Sequence, residues 1–154
     1  MFNKIMVCLD GSKLAEQALP YAMEVAEAFK SKLVLFSALP APVIVAPGIP
    51  GVGPVPVQTD SMVAEAIKGE QADEAYLDKM VKRAKEKGIE AEKGIDIGLP
   101  GKTILDYAEK KGIKLIAIAT HGHGGLERAL LGSVADYLIR NSSIPVLVVR
   151  PKKI

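Results

Sequence analysis

The sequence predicts a doubly wound α/β fold, in which helices cover both faces of a five-stranded parallel sheet. First, short apolar runs alternate with segments of helical periodicity, in the order β-α-β-loop-α-β-α-β-α-β. Second, strands that are separated by helices run parallel, with right-handed crossovers. Third, 154 residues suffice for one domain with an ordinary core. We therefore expect a single domain over residues 1–154, with its strands in the spatial order 3-2-1-4-5.

Composition narrows the class of protein. Hydrophobic residues make up 49% of the chain and charged residues 25%, which is typical of a globular protein. The formal net charge of +2 gives no electrostatic reason to expect a nucleic acid partner. A single cysteine, Cys8, excludes an intrachain disulfide, and the first ten residues lack the longer apolar region of a signal peptide. We therefore expect a cytoplasmic protein.

The first half of the chain begins with a short apolar strand at Lys4–Leu9. Ser12 is placed to cap a helix over Lys13–Phe29, whose apolar residues recur at helical spacing. Pro20 lies inside this pattern and predicts a kink or a late start of the regular helix. A second buried strand follows at Lys32–Leu39.

An uncharged stretch from Leu33 to Thr59 contains a loop rich in proline and glycine at residues 40–57. Prolines at this density prevent a helix from spanning a membrane, so we expect no membrane span. Long loops in compact domains are usually lids, binding loops or disordered segments. The sequence therefore leaves three roles open for residues 40–57: a lid over a pocket, a partner-docking segment or a disordered insertion.

The second half of the chain alternates helices and strands with clear end signals, such as Gly88 after the longest helix. The alternating pattern near the end of its first strand indicates an edge strand. The expected elements are a helix from Asp60 or Ser61 to about Lys87, a strand at Glu90–Ile97, a helix at Lys102–Lys111, a strand at Lys114–Ala119, a helix at Ser133–Asn141 and a strand at Ile144–Val149.

Residues 118–134 combine a strand end, a glycine loop and a helix start. The loop contains Gly122, Gly124 and Gly125, and a new helical pattern opens at Gly132-Ser133. Glycines let the backbone come close to a ligand. The first turn of a helix offers unpaired N–H groups and a partial positive charge. The sequence therefore predicts that this stretch holds an anion.

The predicted topology places a second residue beside this loop. In doubly wound sheets, ligands bind outside the carboxyl ends of the strands, where the strand order reverses. Here that point lies between the first and fourth strands. Asp10 follows the first strand, so its carboxylate is placed to accept hydrogen bonds from a ligand hydroxyl. The alternative is that Asp10 is a turn or capping residue.

Other motifs give weaker indications. Gly98–Thr103 ends like a Walker A loop, but Asp96 stands where that motif needs its first glycine, and Pro100 removes one backbone N–H. His121 and His123 are too few for a zinc site. No nucleophile elbow of the form G-x-S-x-G is present. We therefore predict no catalytic residue and no metal ligand from the protein.

Four motifs make the sequence similar to the universal stress protein family over nearly its whole length: V-C-L-D-G-S, G-L-P, T-H-G-H-G-G-L-x-R-x-L-L-G-S-V-A and I-P-V-L-V-V. In the family's nucleotide-binding branch, a glycine, two residues and a second glycine precede nine residues and a Gly-Ser/Thr pair. Gly122 and Gly132-Ser133 keep this spacing, whereas Ala119 stands in place of the first glycine. Its methyl group would narrow the site, or cost about 1 kcal/mol if the position needs a positive φ.

The resemblance implies that the chain binds ATP, ADP or AMP, with Mg²⁺. It places Cys8, Leu9 and Ala38 near adenine, Asp10 near the ribose and the helix start at Ser133 near the phosphates. It also implies a homodimer that forms through the last strand, Ile144–Val149. The implied nucleotide-binding residues are Cys8, Leu9, Asp10, Ala38, Ile118, Ala119, His121, Gly122, Gly132, Ser133 and Val134.

Three functions remain open from the sequence. The first is a stress-response protein that acts as a nucleotide-dependent dimeric switch or binding module for an unknown protein partner. It would hydrolyse ATP slowly at most, because no base is placed for the attacking water. The second is a dimeric scaffold that has lost nucleotide binding, a reading that Ala119 favours. The third is a weak ATPase that uses Lys102 in a degenerate phosphate-binding loop.

Overall fold

A computed structural model describes residues 1–41, 44–121 and 131–153 of the chain. Within these ranges the elements follow one another largely as the sequence predicts. In chain order they are β1 (Lys4–Cys8), α1 (Lys13–Glu16), α2 (Ala18–Phe29), β2 (Lys32–Leu39), β3 (Ile44–Ala46), β4 (Val55–Val57), α3 (Asp60–Glu86), β5 (Ala91–Ile97), α4 (Pro100–Lys110), β6 (Leu115–Ala119), α5 (Ser133–Asn141) and β7 (Val146–Val149).

Five of the strands form one parallel sheet in the order β5-β2-β1-β6-β7. Counted along the chain without the short β3 and β4, this is the predicted order 3-2-1-4-5 of a doubly wound sheet. The order reverses between β1 and β6, which pair through Ile5 with Leu115 and Val7 with Ala117. The carboxyl ends of these two central strands therefore lie side by side.

Helices pack on both faces of the sheet because the strand side chains are apolar on both sides. On one face, Val7, Leu35 and Ala117 pack with α2 and α3 through Leu19 and Leu77. On the other face lies a second cluster, which α4 and α5 complete; its buried members include Met6, Cys8, Val34, Phe36, Ile104, Ala108, Ile116, Ile118, Ala135 and Leu138. The sheet is thus buried between two layers of helix.

The first predicted helix is divided in two at Gln17. Ser12 caps α1 with its side chain, as predicted, by accepting a hydrogen bond from the Ala15 N–H at 3.1 Å. The regular helix α2 then starts at Ala18, so Pro20 falls in its first turn. A proline is tolerated there because the first N–H groups of a helix have no partner within it. The predicted late start of the helix is therefore confirmed.

Residues 40–57 depart from the prediction. The sequence predicts a loop without strands, yet β3 and β4 form a short antiparallel hairpin in which Val45 pairs with Pro56. Prolines and glycines between valines hid this hairpin, because proline is unfavourable inside a sheet. Its side chains are largely exposed: Val45 is 55% exposed and Val55 is 44% exposed.

Some element ends differ from the prediction, by one or two residues. Helix α4 begins at Pro100 rather than Lys102, because proline suits the first position of a helix. Strand β7 begins at Val146 rather than Ile144. β5 lies at one edge of the sheet, as predicted, and β7 lies at the other. Among the described residues, no helix is both long and apolar enough to cross a membrane.

Candidate functional site

A pocket of about 270 Å³ opens at the carboxyl ends of β1 and β6. Its walls are mostly apolar, with polar groups concentrated at the ends of β1 and β6 and at the start of α5. The lining residues are Cys8, Leu9, Asp10, Ala15, Phe36, Ala38, Pro100, Ile104, Ile118, Ala119, Thr120, His121, Gly132, Ser133, Val134 and Ala135. An apolar cleft with a few polar groups at the switch point of an α/β sheet is a typical ligand site.

The pocket brings together every predicted site residue that the structure describes. These are Cys8, Leu9, Asp10, Ala38, Ile118, Ala119, His121, Gly132, Ser133 and Val134. Gly122 lies outside the described residues, as do His123, Gly124 and Gly125. Because parallel strands end on the same edge of the sheet, residues that follow β1, β2 and β6 meet at this pocket.

Six lining residues were missed by the sequence reasoning: Ala15, Phe36, Pro100, Ile104, Thr120 and Ala135. Thr120 is adjacent to predicted residues, and a wider window around the strand end would have included it. Pro100 and Ile104 lie four positions apart on α4, so they share one helix face. Which face of α4 turns towards the pocket depends on packing against the sheet, and periodicity alone does not show it.

The start of α5 forms the polar end of the pocket. Gly132 caps the helix with an extended backbone, at φ −67° and ψ 152°, and offers no side chain to the first turn. Ser133 and Val134 occupy the first two helical positions, and Ser133 is exposed. Their N–H groups have no partner within the helix and carry part of the positive end of its dipole. The predicted anion site would lie at this end of the pocket.

The backbone of Gly132 lies very close to the backbone at the end of β6. A Cβ atom at this position would lie 2.1 Å from the Thr120 carbonyl oxygen, so only glycine fits without a backbone shift. Thr120 is itself buried, and its hydroxyl lies 2.8 Å from His121 Nδ1. The absence of a side chain at Gly132 therefore lets the helix start lie directly beside the strand end.

Asp10 is part of the turn that leads into α1. Its carboxylate accepts a hydrogen bond from the Ser12 N–H at 2.9 Å, and Ser12 in turn caps the helix that brings Ala15 to the pocket. The turn-forming role expected of aspartate is therefore present, and the same residue also lines the pocket. The turn role of Asp10 is thus confirmed, and its role in holding a ligand hydroxyl stays a prediction.

Cys8 places a thiol in the pocket wall. Burial raises the pKa of this thiol to about 12, because the interior disfavours the thiolate. The side chain therefore stays protonated at neutral pH and behaves as a small apolar group. It can pack against a ligand ring but is a poor nucleophile.

Ala119 departs from the family's glycine pattern without strain. It lies in β6 in parallel register with Val149, and among the described residues Lys30 is the one non-glycine residue with a positive φ. Its side chain belongs to the cluster on the α2 and α3 face, with Leu9 and Val149, and like Leu9 it also lines the pocket. The position therefore does not need a positive φ.

Lys102 lies apart from the pocket. Its ammonium group pairs with Asp106 one turn later on α4 at 2.5 Å, and this contact raises the pKa of Lys102. Pro100 supplies no N–H at the start of the same helix. In the described part of the chain, no group of three His, Cys, Asp or Glu side chains is arranged to hold a metal ion.

Two curated relatives match the chain over almost its full length. The chain is 36% identical over 154 residues to universal stress protein MJ0531 of Methanocaldococcus jannaschii, covering 99% of this chain and 85% of that protein. It is 32% identical over 150 residues to universal stress protein YxiE of Bacillus subtilis, covering 97% of this chain and 100% of that protein.

Solved structures share the fold. Universal stress protein UspA from Lactobacillus plantarum matches with a TM-score of 0.79 at 22% identity, covering 97% of this chain and 98% of that one. A universal stress protein in complex with cAMP matches with a TM-score of 0.67 at 23% identity, covering 97% of each chain. The Arabidopsis thaliana family protein At3g01520, with AMP bound, matches with a TM-score of 0.66 at 16% identity, covering 97% of this chain and 92% of that one.

The match to the family as a whole is equally extensive. Residues 1–150 match the Universal stress protein family, and the two curated relatives carry the same name. The predicted family resemblance is confirmed, and the chain belongs to the universal stress protein family.

Proposed function

We propose that this protein binds an adenine nucleotide, ATP, ADP or AMP, in the pocket between β1, β6 and α5. The observation that carries the proposal is the open N-terminus of α5, at Ser133 and Val134, on the rim of an otherwise apolar pocket. An apolar wall suits a flat base, and a helix start suits a phosphate. Two structures of the same fold hold cAMP and AMP, which supports this ligand class.

The pocket divides naturally among the parts of a nucleotide. Cys8, Leu9 and Ala38 present apolar surface for adenine, with Ile118 beside them. Asp10 would accept hydrogen bonds from the ribose hydroxyls. The N–H groups of Ser133 and Val134, together with the Ser133 hydroxyl, would take the phosphates, with Gly132 as the cap. Ala119, His121 and Gly122 would complete the contacts to ribose and phosphates; Gly122 lies outside the described residues.

The geometry of Ala119 supports nucleotide binding over the pure scaffold. The scaffold hypothesis rested on the missing glycine at this position. Because Ala119 has a regular strand conformation and packs with Leu9 and Val149, its methyl group brings no backbone strain to the site and adds only one small group to the pocket wall. A triphosphate would bring Mg²⁺ with it, and the ion would be held chiefly by phosphate oxygens and water, as Mg²⁺ often is.

The second part of the proposal is a homodimer that forms through β7. The N–H of Ile116 binds the Pro145 carbonyl, and the N–H of Thr120 binds the Val149 carbonyl. Because backbone groups alternate along a strand, Val146 and Val148 direct theirs away from β6. β7 is uncharged, whereas the opposite edge strand carries Glu92, Lys93 and Asp96, which discourage pairing. β7 is therefore the edge suited to a second copy.

In this proposal the protein works as a nucleotide-dependent binding module in the cytoplasm during a stress response. Nucleotide would order the residues around the helix start and so change the surface offered to a protein partner. Hydrolysis would be slow, because the Lys102 ammonium group is paired with Asp106 and Lys102 does not line the pocket.

Isothermal titration of the purified protein with ATP and with AMP tests the proposal. We expect saturable binding of at least one of them at micromolar to low millimolar concentration, with GTP binding more weakly. A dissociation constant on the order of 5 mM is the weakest that would support the proposal. If neither ATP nor AMP gives a binding heat or competes with the other at about 5 mM, the proposal is wrong.

A further inference from the structure

The segment that follows β7 is tied to the start of the molecule by a pair of hydrogen bonds. The Gln17 side-chain amide donates to the Lys152 carbonyl oxygen at 2.8 Å, and the Lys152 N–H donates to Gln17 Oε1 at 2.8 Å. The Gln17 side chain therefore donates one hydrogen bond to the Lys152 backbone and accepts the other from it. They join residues that are 135 positions apart in the sequence.

Gln17 lies at the junction between α1 and α2. It is both the residue that ends α1 and the residue that precedes α2, so it forms the joint at which the helix is interrupted. A four-residue helix has too few internal hydrogen bonds to be stable alone and depends on its surroundings. The contact with Lys152 supplies such support at the end of α1.

A continuous set of contacts leads from Gln17 to the pocket. Ala15, two residues before Gln17, lines the pocket, and its N–H binds the Ser12 hydroxyl. The Ser12 N–H binds the Asp10 carboxylate, and Asp10 lines the pocket as well. A shift of α1 would therefore move both Ala15 and Asp10. Both residues line the pocket.

A second support holds α1 from the side of α3. The Glu16 side chain is nearly buried, and its carboxylate lies 3.3 Å from Lys13 Nζ and 3.8 Å from Arg83 Nη1. This attachment reaches the body of the protein and does not involve β7. The contact between Gln17 and Lys152 is thus a link that connects the end of α1 to the segment after the edge strand.

We propose that Gln17 is a positioning residue for the nucleotide pocket, and that the segment Arg150–Lys153 acts as a strap holding α1 in its binding position. This inference rests on the proposed nucleotide site. The strap directly continues β7. Pairing of β7 with a second copy of the chain would therefore also fix the position of the strap and raise the affinity for nucleotide. Nucleotide binding would, by the same linkage, favour the pairing.

ATP titration of four variants tests the strap. Gln17→Ala removes both hydrogen bonds and should weaken ATP binding about fivefold to tenfold. Lys152→Pro removes one donor and should weaken it about twofold to threefold. Lys152→Ala keeps both backbone groups and is the matched control, with unchanged affinity. Gln17→Glu keeps the acceptor for the Lys152 N–H and should fall between wild type and Gln17→Ala.

A second readout separates this inference from the proposed function. Amide hydrogen exchange of residues 12–16, measured without nucleotide, should be faster in Gln17→Ala than in Lys152→Ala. If the wild type binds ATP and Gln17→Ala binds it equally well, the strap has no positioning role. If the wild type does not bind ATP, the proposed function fails. In that case the hydrogen exchange of residues 12–16 is the remaining test of the strap. Equal exchange in Gln17→Ala and Lys152→Ala would show that the strap does not hold α1.

Discussion

The carbonyl oxygen of Thr120 lies where a side chain on residue 132 would have to begin, 2.1 Å from the Cβ position of Gly132. Rotamer changes cannot relieve this contact, because the backbone fixes both the Cβ position of residue 132 and the Thr120 carbonyl oxygen. The glycine is therefore required for packing the start of α5 against the end of β6, before any ligand is considered. The same close approach brings the helix start to the rim of the pocket.

Gly132→Ala should lower the free energy of unfolding by about 1–3 kcal/mol, since the backbone must shift to accept the methyl group. Urea denaturation measures this change. Gly69→Ala is the control, because that glycine lies inside α3 with nothing near its Cβ position, and alanine there should stabilise the protein by up to about 1 kcal/mol. Equal stability of Gly132→Ala and wild type would show that the close contact does not exist.

Ala119→Gly should leave ATP affinity within about twofold of wild type and should destabilise the fold by about 1–2 kcal/mol, through loss of a buried methyl group and a more flexible strand. Titration and urea denaturation measure the two effects. Ala117→Gly is the matched control, because it lies on the same strand face and is fully buried away from the pocket. A large gain in affinity specific to Ala119→Gly would revive the scaffold hypothesis.

Cys8 should react slowly with iodoacetamide in the folded protein. A thiol of pKa about 12 is almost entirely protonated at pH 8, so its rate should rise about tenfold per pH unit between pH 8 and pH 10. An exposed thiol would level off near pH 9. Mass spectrometry follows the reaction at this single cysteine, with urea-unfolded protein as the fast control. Bound ATP should slow it further, and a lack of protection would place the ligand elsewhere.

Val148→Pro should shift the protein from dimer to monomer without unfolding it. The substitution removes an N–H that points away from β6, so the bonds within the sheet survive, and proline is tolerated on an edge strand. Lys93→Pro is the control on the opposite edge, because the N–H of Lys93 also points outwards there. Analytical ultracentrifugation should show a dimer for the control. A dimeric Val148→Pro variant would move the interface away from β7.

Much of the fold could be predicted because apolar periodicity and end signals agree in most elements. Ser12, Gly88 and Pro20 each marked a helix boundary near its observed place. The hairpin formed by β3 and β4 could not be predicted, because Pro56 lies within one of its strands and proline normally argues against a strand. The local signal of Pro56 was therefore misleading, because the pairing of β3 with β4 outweighs the low strand preference of proline.

The candidate site divides in the same way. Cys8 and Asp10 could be placed because they end or follow a central parallel strand, and topology brings such residues to the switch point, whereas Ala38 was placed by the family resemblance. Ile104 and Ala135 were missed because each lies on a helix, and the docked face of a helix depends on tertiary packing. The supporting role of Gln17 was also hidden, since its partner Lys152 lies at the far end of the chain.

The most direct test of the central claim removes one backbone N–H from the start of α5. Ser133→Pro does this with little harm to the helix, because proline suits the first helical position and Gly132 already has the extended backbone that must precede it. Asp60→Pro makes the same change at the first position of α3, after an equally extended Thr59. Ser133→Ala separates loss of the hydroxyl from loss of the N–H.

Titration with ATP gives the decisive comparison. A hydrogen bond to a charged phosphate contributes about 1.5–3 kcal/mol, so Ser133→Pro should weaken ATP binding about tenfold to a hundredfold. Ser133→Ala should weaken it less, and Asp60→Pro should bind like wild type. If Ser133→Pro binds ATP as tightly as Asp60→Pro does, then the start of α5 does not hold the phosphates, and the proposed site is wrong.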